Sequence, residues 1–185
     1  DVWGTSWGVS TRLIGALIMT HSDDAGLVLP PKVAPVQVVI VPIQPKKNDI
    51  EGKAAMEDAL DKLSAELKAA GLRVKVDDRD YVRNGAKYFE YERKGVPLRI
   101  ELGPRDLAKG ECVFKYRAGE EGKIPTSLEG AADAAKSGLE DMQQKLFDAA
   151  TENLKNGITT GASYQEMKEA LEGDEASNYN GSGLY

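Results

Sequence analysis

Between Val36 and Arg117 the hydrophobic period of the sequence switches repeatedly, and this alternation restricts the fold more than any other feature. Val36-Gln-Val-Val-Ile-Val-Pro-Ile43 is a short β-branched run of the kind buried on both faces of a parallel sheet. Residues 50–70 then place Met56, Leu60, Leu63 and Leu67 at three- and four-residue spacing with charges between them. That spacing predicts an amphipathic helix, which Gly71 stops. Arg73-Val-Lys-Val-Asp77 alternates like a strand, Ala86–Arg93 reads as a short helix, Pro97–Leu102 alternates again, and Glu111–Arg117 makes another strand. Strands alternating with helices, joined by right-handed crossovers, predict a small α/β unit with a mixed, mostly parallel sheet covered by helices.

The flanks read differently. Residues 10–21, Ser-Thr-Arg-Leu-Ile-Gly-Ala-Leu-Ile-Met-Thr-His, begin with a capping pair and are apolar nearly all round, which predicts a buried helix. Too little sequence precedes it to supply the surrounding domain, so the chain is expected to be part of a longer protein. After the sheet, Leu128–Leu154 carries Leu139, Met142, Leu146 and Ala150 at helical spacing, and Tyr164–Leu171 reads as a shorter helix. Residues 173–185 are almost free of apolar side chains and are expected to form a flexible tail.

Composition narrows the functional classes. No apolar run is long enough to span a bilayer, so no membrane partner is expected. The single cysteine, Cys112, excludes an internal disulfide and a thiolate zinc site; no metal is expected. The formal charge of −6 would argue against a nucleic-acid partner if it were evenly spread. It is not: residues 73–117 hold 12 Lys/Arg against 8 Asp/Glu, or +4, which leaves 12 against 22, or −10, elsewhere.

Three stretches carry a resemblance to a known family. Gly4-Thr-Ser-Trp-Gly-Val-Ser-Thr-Arg12, with the Leu-Ile-Gly-Ala-Leu-Ile-Met-Thr-His-Ser-Asp-Asp24 that follows and Gly26-Leu-Val-Leu-Pro-Pro31, resembles the third signature motif of the prolyl-tRNA synthetases. Val33-Ala-Pro-Val-Gln-Val-Val-Ile-Val-Pro-Ile43 is similar to that family's passage from the catalytic core into the anticodon-binding domain. Lys94-Gly-Val-Pro-Leu-Arg-Ile-Glu-Leu-Gly-Pro-Arg-Asp106 is similar to a block inside that domain. The resemblance implies four segments: residues 1–34 as the end of a class II catalytic domain, 35–126 as the anticodon-binding domain, 127–172 as a helical C-terminal extension, and 173–185 as the tail. It covers about residues 2–172, in the subtype of eukaryotes, archaea and some bacteria and organelles.

Arginine at the start of a buried helix offers five fixed donors to a triphosphate, and its planar face can stack on a base. The resemblance implies that Arg12 binds ATP with Ser10 nearby. It further implies that Ser6, Trp7 and Gly8 border the proline pocket, where glycine permits close backbone approach and an indole flanks a pyrrolidine ring. Without the resemblance, an arginine at a helix start is more often a surface ion-pair partner. His21 is read as ordering the Asp23-Asp24 turn, and Cys112 as a packed small residue.

Tyr88 and Glu92, four apart on the predicted short helix, share a face, and Arg99 lies on the adjoining strand. An unstacked guanine offers donors to a carboxylate and acceptors to an arginine, while a phenol can stack on the base. Proline anticodons share two guanines, and the resemblance implies that Tyr88, Glu92 and Arg99 read them, with Lys123 as a further contact. In isolation the same trio would be a Glu–Arg surface bridge beside a core tyrosine. Two departures from the family stand out. It usually has Pro-Gly-Trp-Lys-Phe before this glutamate and a second Trp beside it, where this chain has Asn84-Gly-Ala-Lys-Tyr88 and Tyr91. Its zinc-binding C-terminal part is expected to be absent or degenerate here.

The expectation is therefore a segment of a proline–tRNA ligase that works through prolyl-adenylate. Its partners would be tRNA(Pro), proline, ATP with Mg2+ and, in the full-length protein, a second copy; its place would be the cytoplasm or an organelle. The alternatives are a non-catalytic RNA-binding module and a small-molecule-binding α/β domain.

Overall fold

The computed structural model describes residues 3–45, 49–119, 122–158, 163–166 and 168. The chain divides into two compact units, residues 1–146 and 147–185. The first is built on a five-stranded sheet in the order β2-β1-β3-β4-β5, made of β1 (Val38–Pro42), β2 (Val74–Val76), β3 (Leu98–Leu102), β4 (Glu111–Tyr116) and β5 (Ile124–Ser127). Pairing is parallel across β2-β1-β3 and antiparallel through β4 and β5, so the expected mixed sheet forms with its parallel part at β1.

Side chains alternate across this sheet, and the two faces hold different layers. One face carries Val38, Ile40, Leu98, Ile100, Leu102, Cys112 and Phe114. It is covered by α2 (Ile50–Ala69) and by α5 (Ala131–Gly157). α2 buries Met56, Leu60, Leu63 and Leu67, the four residues whose spacing predicts it, and each such side chain stabilises by about 1.5–3 kcal/mol. Asp49 caps the helix by accepting the Gly52 N–H at 2.9 Å. α5 presents Ala131, Ala135, Leu139 and Met142. At Gly138 the helix passes so close to β4 that a Cβ would stand within 3 Å of the Tyr116 ring. The other face carries Val39 and Val41, packed against Tyr91 and Val96 beside α3 (Asn84–Arg93).

Two short elements escape the sequence reading: β5, and α4 (Pro104–Leu107) with proline in its first turn. The long helix begins at Ala131 rather than Leu128. The Leu128 N–H is taken by Gly110 O at 2.8 Å, which makes Leu128 a continuation of the strand hairpin.

The N-terminal helix α1 (Arg12–His21) forms where expected, but it buries none of its residues. Leu13, Ile14 and Met19 are 59%, 61% and 88% exposed, because nothing among the described residues packs on them. The expectation of a buried helix is corrected to that extent. In the second unit, Ser163 and Glu166 cap each other's backbone N–H groups, and residues 164–166 and 168 are helical. The rest of the predicted 164–171 helix and the predicted flexible tail at 173–185 lie outside the described residues. No helix among the described residues is long and apolar enough to cross a membrane.

Candidate nucleic-acid interface

α3 is held in place by a charged network at its inner side. Asp77, at the end of β2, is 2% exposed and continues the parallel register by donating its N–H to Ile40 O at 2.9 Å. Its carboxylate accepts from Arg79 Nε at 2.8 Å and Nη2 at 2.6 Å. Lys87, 1% exposed on α3, donates to Asp77 O at 3.0 Å and lies 3.6 Å from the carboxylate. Arg79 reaches on to Glu90 at 2.8 Å, and Lys94 holds the other Glu90 oxygen at 2.6 Å. The Arg79 guanidinium is the main reason the Asp77 carboxyl sits far below the usual carboxylate range. Burial and the Asp77 charge push the Tyr91 phenol up to about 12, so it stays neutral.

On the face that this anchoring fixes, Tyr88 lies beneath two cations. The Arg99 guanidinium sits 4.2 Å from the Tyr88 ring centroid, and Lys123 Nζ lies 5.5 Å from it. Both are tied to one carboxylate. Glu101 Oε1 accepts from Arg99 Nε at 3.1 Å and Nη2 at 3.0 Å, and Glu101 Oε2 accepts from Lys123 Nζ at 2.5 Å. Burial first, then the Glu101 charge, push the Tyr88 phenol up to about 12, so the ring is offered as a neutral phenol at any ordinary pH.

Glu92 follows one turn after Tyr88 and lines a shallow cleft with Arg99, Lys115, Tyr116 and Arg117. Its carboxylate makes no hydrogen bond or ion pair among the described residues, so it is a free acceptor beside the Tyr88–Arg99 stack. Lys115 is the direct cross-strand partner of Arg99, which sets two cations side by side on this face.

The backbone of Glu92 is clamped from behind by Arg117. Its Nε donates to Glu92 O at 3.0 Å, one Nη2 hydrogen reaches Gly26 O at 3.1 Å, and its two Nη atoms hold the Asp23 carboxylate at 2.8 and 2.5 Å. This ion pair lowers the Asp23 carboxyl to about 2. The turn at residues 23–26 is thus ordered by Arg117 and by its own backbone bridge between Asp23 and Gly26, in place of the role expected of His21. Leu27 and Leu29 donate to Arg93 O and Gly95 O. Gly95, at φ +71°, is needed there because a Cβ would stand 2.7 Å from Leu27 O.

The residues expected at the adenylate site lie apart from this cluster. Ser10 and Arg12 are neighbours at the start of α1, where Ser10 Oγ accepts the Arg12 N–H at a long 3.4 Å, and the guanidinium makes no ion pair among the described residues. Ser6, Trp7 and Gly8 precede the helix without regular structure, and the indole of Trp7 is 92% exposed. Cys112 is fully buried, and burial raises its thiol to about 11, which leaves it a packing residue.

Comparison with known proteins places the cluster inside a recognised domain. The family model described as the anticodon binding domain matches residues 37–137. That span runs from the start of β1 into α5 and contains Tyr88, Glu92, Arg99, Glu101 and Lys123. The chain belongs to the anticodon-binding-domain family. It is also 48% identical over 172 residues to a protein named proline–tRNA ligase from Roseiflexus sp. (strain RS-1), covering 92% of this chain and 35% of that one. A proline–tRNA ligase of Flavobacterium johnsoniae is 48% identical over 93% of this chain and 34% of its own length. Proline–tRNA ligase 2 of Clostridioides difficile is 46% identical over 91% and 34%. The chain spans about a third of the length of these curated relatives.

Within this anticodon-binding fold, the structure brings Tyr88, Arg99 and Lys123 into contact range, with Glu92 on the neighbouring rim. Sequence reasoning missed Glu101 and Arg117. The signal for Glu101 was present: residues two apart on a strand share a face, so a carboxylate at 101 must stand beside the guanidinium at 99. Arg117 had no such signal, since its partners lie 25 and 94 positions away.

Proposed function

We propose that this chain is the anticodon-reading portion of a proline–tRNA ligase, carrying with it one edge of the adenylate site. The observation that carries the reading is the Tyr88–Arg99–Lys123 cluster, set in an anticodon-binding domain, with the Glu92 carboxylate beside it making no hydrogen bond or ion pair among the described residues. A neutral phenol, a guanidinium with unused hydrogens and a free carboxylate are the donors and acceptors that one or two unstacked guanines require. Its partner is tRNA(Pro), whose anticodons share two guanines.

Residues 1–34 belong, on this reading, to the end of a class II catalytic domain. There Arg12 and Ser10 hold ATP, and Ser6, Trp7 and Gly8 border proline. An exposed guanidinium free of ion pairs among the described residues fits a triphosphate. ATP, bound with Mg2+, supplies the adenylyl group that activates proline, and Arg12 contributes charge neutralisation and orientation. Residues 35–126 read the anticodon, residues 127–172 form a helical extension and residues 173–185 a tail. The full-length enzyme is a homodimer of the cytoplasm or an organelle.

The test is a pair of substitutions. Arg99→Ala weakens binding of tRNA(Pro) by about 1–3 kcal/mol and spares unrelated tRNAs; an equal loss across all tRNAs would sink the reading. Arg12→Ala, placed in a full-length ligase carrying this chain, abolishes proline-dependent ATP–pyrophosphate exchange, and retained exchange removes Arg12 from the site.

A further inference from the structure

Glu101 stands where packing alone asks for an apolar side chain. Its cross-strand neighbours are Val41 on β1 and Val113 on β4, and it is 3% exposed. A carboxylate in such a place must be desolvated, and a buried ion pair is often no more stabilising than a hydrophobic residue of similar size. Stability does not account for it; its partners do. Both oxygens are used, one by Arg99 and the other by Lys123, the two cations stacked over Tyr88.

The bonding pattern also determines which edge of the guanidinium is available. Glu101 takes Nε and one Nη2 hydrogen, the side-on edge. Nη1 and the remaining Nη2 hydrogen have no partner among the described residues. That end-on pair is a bidentate donor, the geometry that fits the O6 and N7 acceptors of guanine. Arg99 is only 12% exposed, so it has little freedom to find another pose.

We propose that Glu101 is a positioning residue for anticodon reading: it fixes Arg99 and Lys123 side by side over Tyr88 and turns the free end of the guanidinium toward a guanine. This rests on the tRNA-binding reading above. Glu101 itself touches no base. Its removal loosens the reader while raising the positive charge of the surface, so specificity and overall attraction move in opposite directions. Loss of an ordinary structural ion pair would lower the melting temperature and leave base discrimination by the folded molecules unchanged.

The experiment measures dissociation constants of the full 185-residue chain for an anticodon stem–loop of tRNA(Pro) and for the same stem–loop with both guanines replaced by adenine. Discrimination is the ratio of the two. In Glu101→Gln, which keeps the shape and one acceptor, the ratio falls by on the order of tenfold, while binding to the adenine-substituted loop holds or tightens. A folded Glu101→Gln chain with the wild-type ratio overturns the proposal. If Glu101→Gln does not fold, Glu101→Asp retains the charge on a stem too short to serve both cations. Its ratio falls likewise, and an unchanged ratio overturns the proposal. A wild-type chain that does not discriminate at all removes the tRNA reading itself, and the positioning role with it, so the two failures are distinguished by the wild-type arm.

Discussion

Asp77 and Lys87 form a pair whose two members should not be equally dispensable. Lys87 Nζ has two partners, the Asp77 carbonyl at 3.0 Å and the Asp77 carboxylate at 3.6 Å, and its side chain is 2% exposed. The Asp77 carboxylate, 1% exposed, has a second and better partner in the two hydrogen bonds from Arg79. Asp77→Ala therefore leaves a buried ammonium facing only a carbonyl, and breaking a buried pair from that side costs about 3–5 kcal/mol. Lys87→Met removes the buried charge and keeps an unbranched stem, while Asp77 retains Arg79. The loss is then close to one buried hydrogen bond, about 1–2 kcal/mol. The gap of about 2 kcal/mol corresponds to about 4–8 °C for a chain of 185 residues. Thermal unfolding followed by circular dichroism measures it directly. A Lys87→Met chain that melts at or below the Asp77→Ala chain refutes the view that the carboxylate is the hub of the network.

Two further outcomes follow from the same contacts. Asp77 and Asp23 both titrate lower in the folded chain than the unfolded value near 4, Asp23 at about 2. Their contribution to stability is therefore complete above about pH 4 and is lost as the pH falls below it, so denaturation midpoints should drop steeply on acidification from pH 4. Asp77→Asn should flatten that slope, and an unchanged slope would remove Asp77 as its source. Arg117→Ala releases Asp23, Gly26 O and Glu92 O together. Amide hydrogen exchange at Leu27 and Leu29, which donate to Arg93 O and Gly95 O, should accelerate at least tenfold, about 1.4 kcal/mol of local opening. Wild-type protection there would mean that the clamp does not hold this segment on α3.

The parts of the fold that could be read in the sequence are those with a period long enough to repeat. α2 shows about three turns of apolar spacing, from Met56 to Leu67 in its buried stripe, and β1 is a continuous β-branched run buried on both sides. β5 is four residues, Ile-Pro-Thr-Ser, and α4 is four residues led by a proline; neither completes a repeat. The pairing of Tyr88 with Glu92 follows from helical geometry alone, whereas the arrival of Lys123 over the Tyr88 ring depends on the turn between β4 and β5, which carries no periodic signal. α1 teaches the converse lesson. Its apolar pattern correctly predicts a helix, but a pattern states only what a helix can bury, and among the described residues there is nothing for Leu13, Ile14 or Met19 to be buried against.

On the proposed reading, RNA meets this chain at the Tyr88 face of the sheet and is read there by base. Titrating isotopically labelled chain with the tRNA(Pro) anticodon stem–loop, and following backbone and arginine side-chain resonances, tests that location directly. The largest shifts are expected at Tyr88, Glu92, Arg99, Glu101 and Lys123, with loss of the Arg99 Nε–H shift when both anticodon guanines become adenine. Shifts concentrated on the opposite face, along α2 and α5, or identical maps for the two stem–loops, would contradict it.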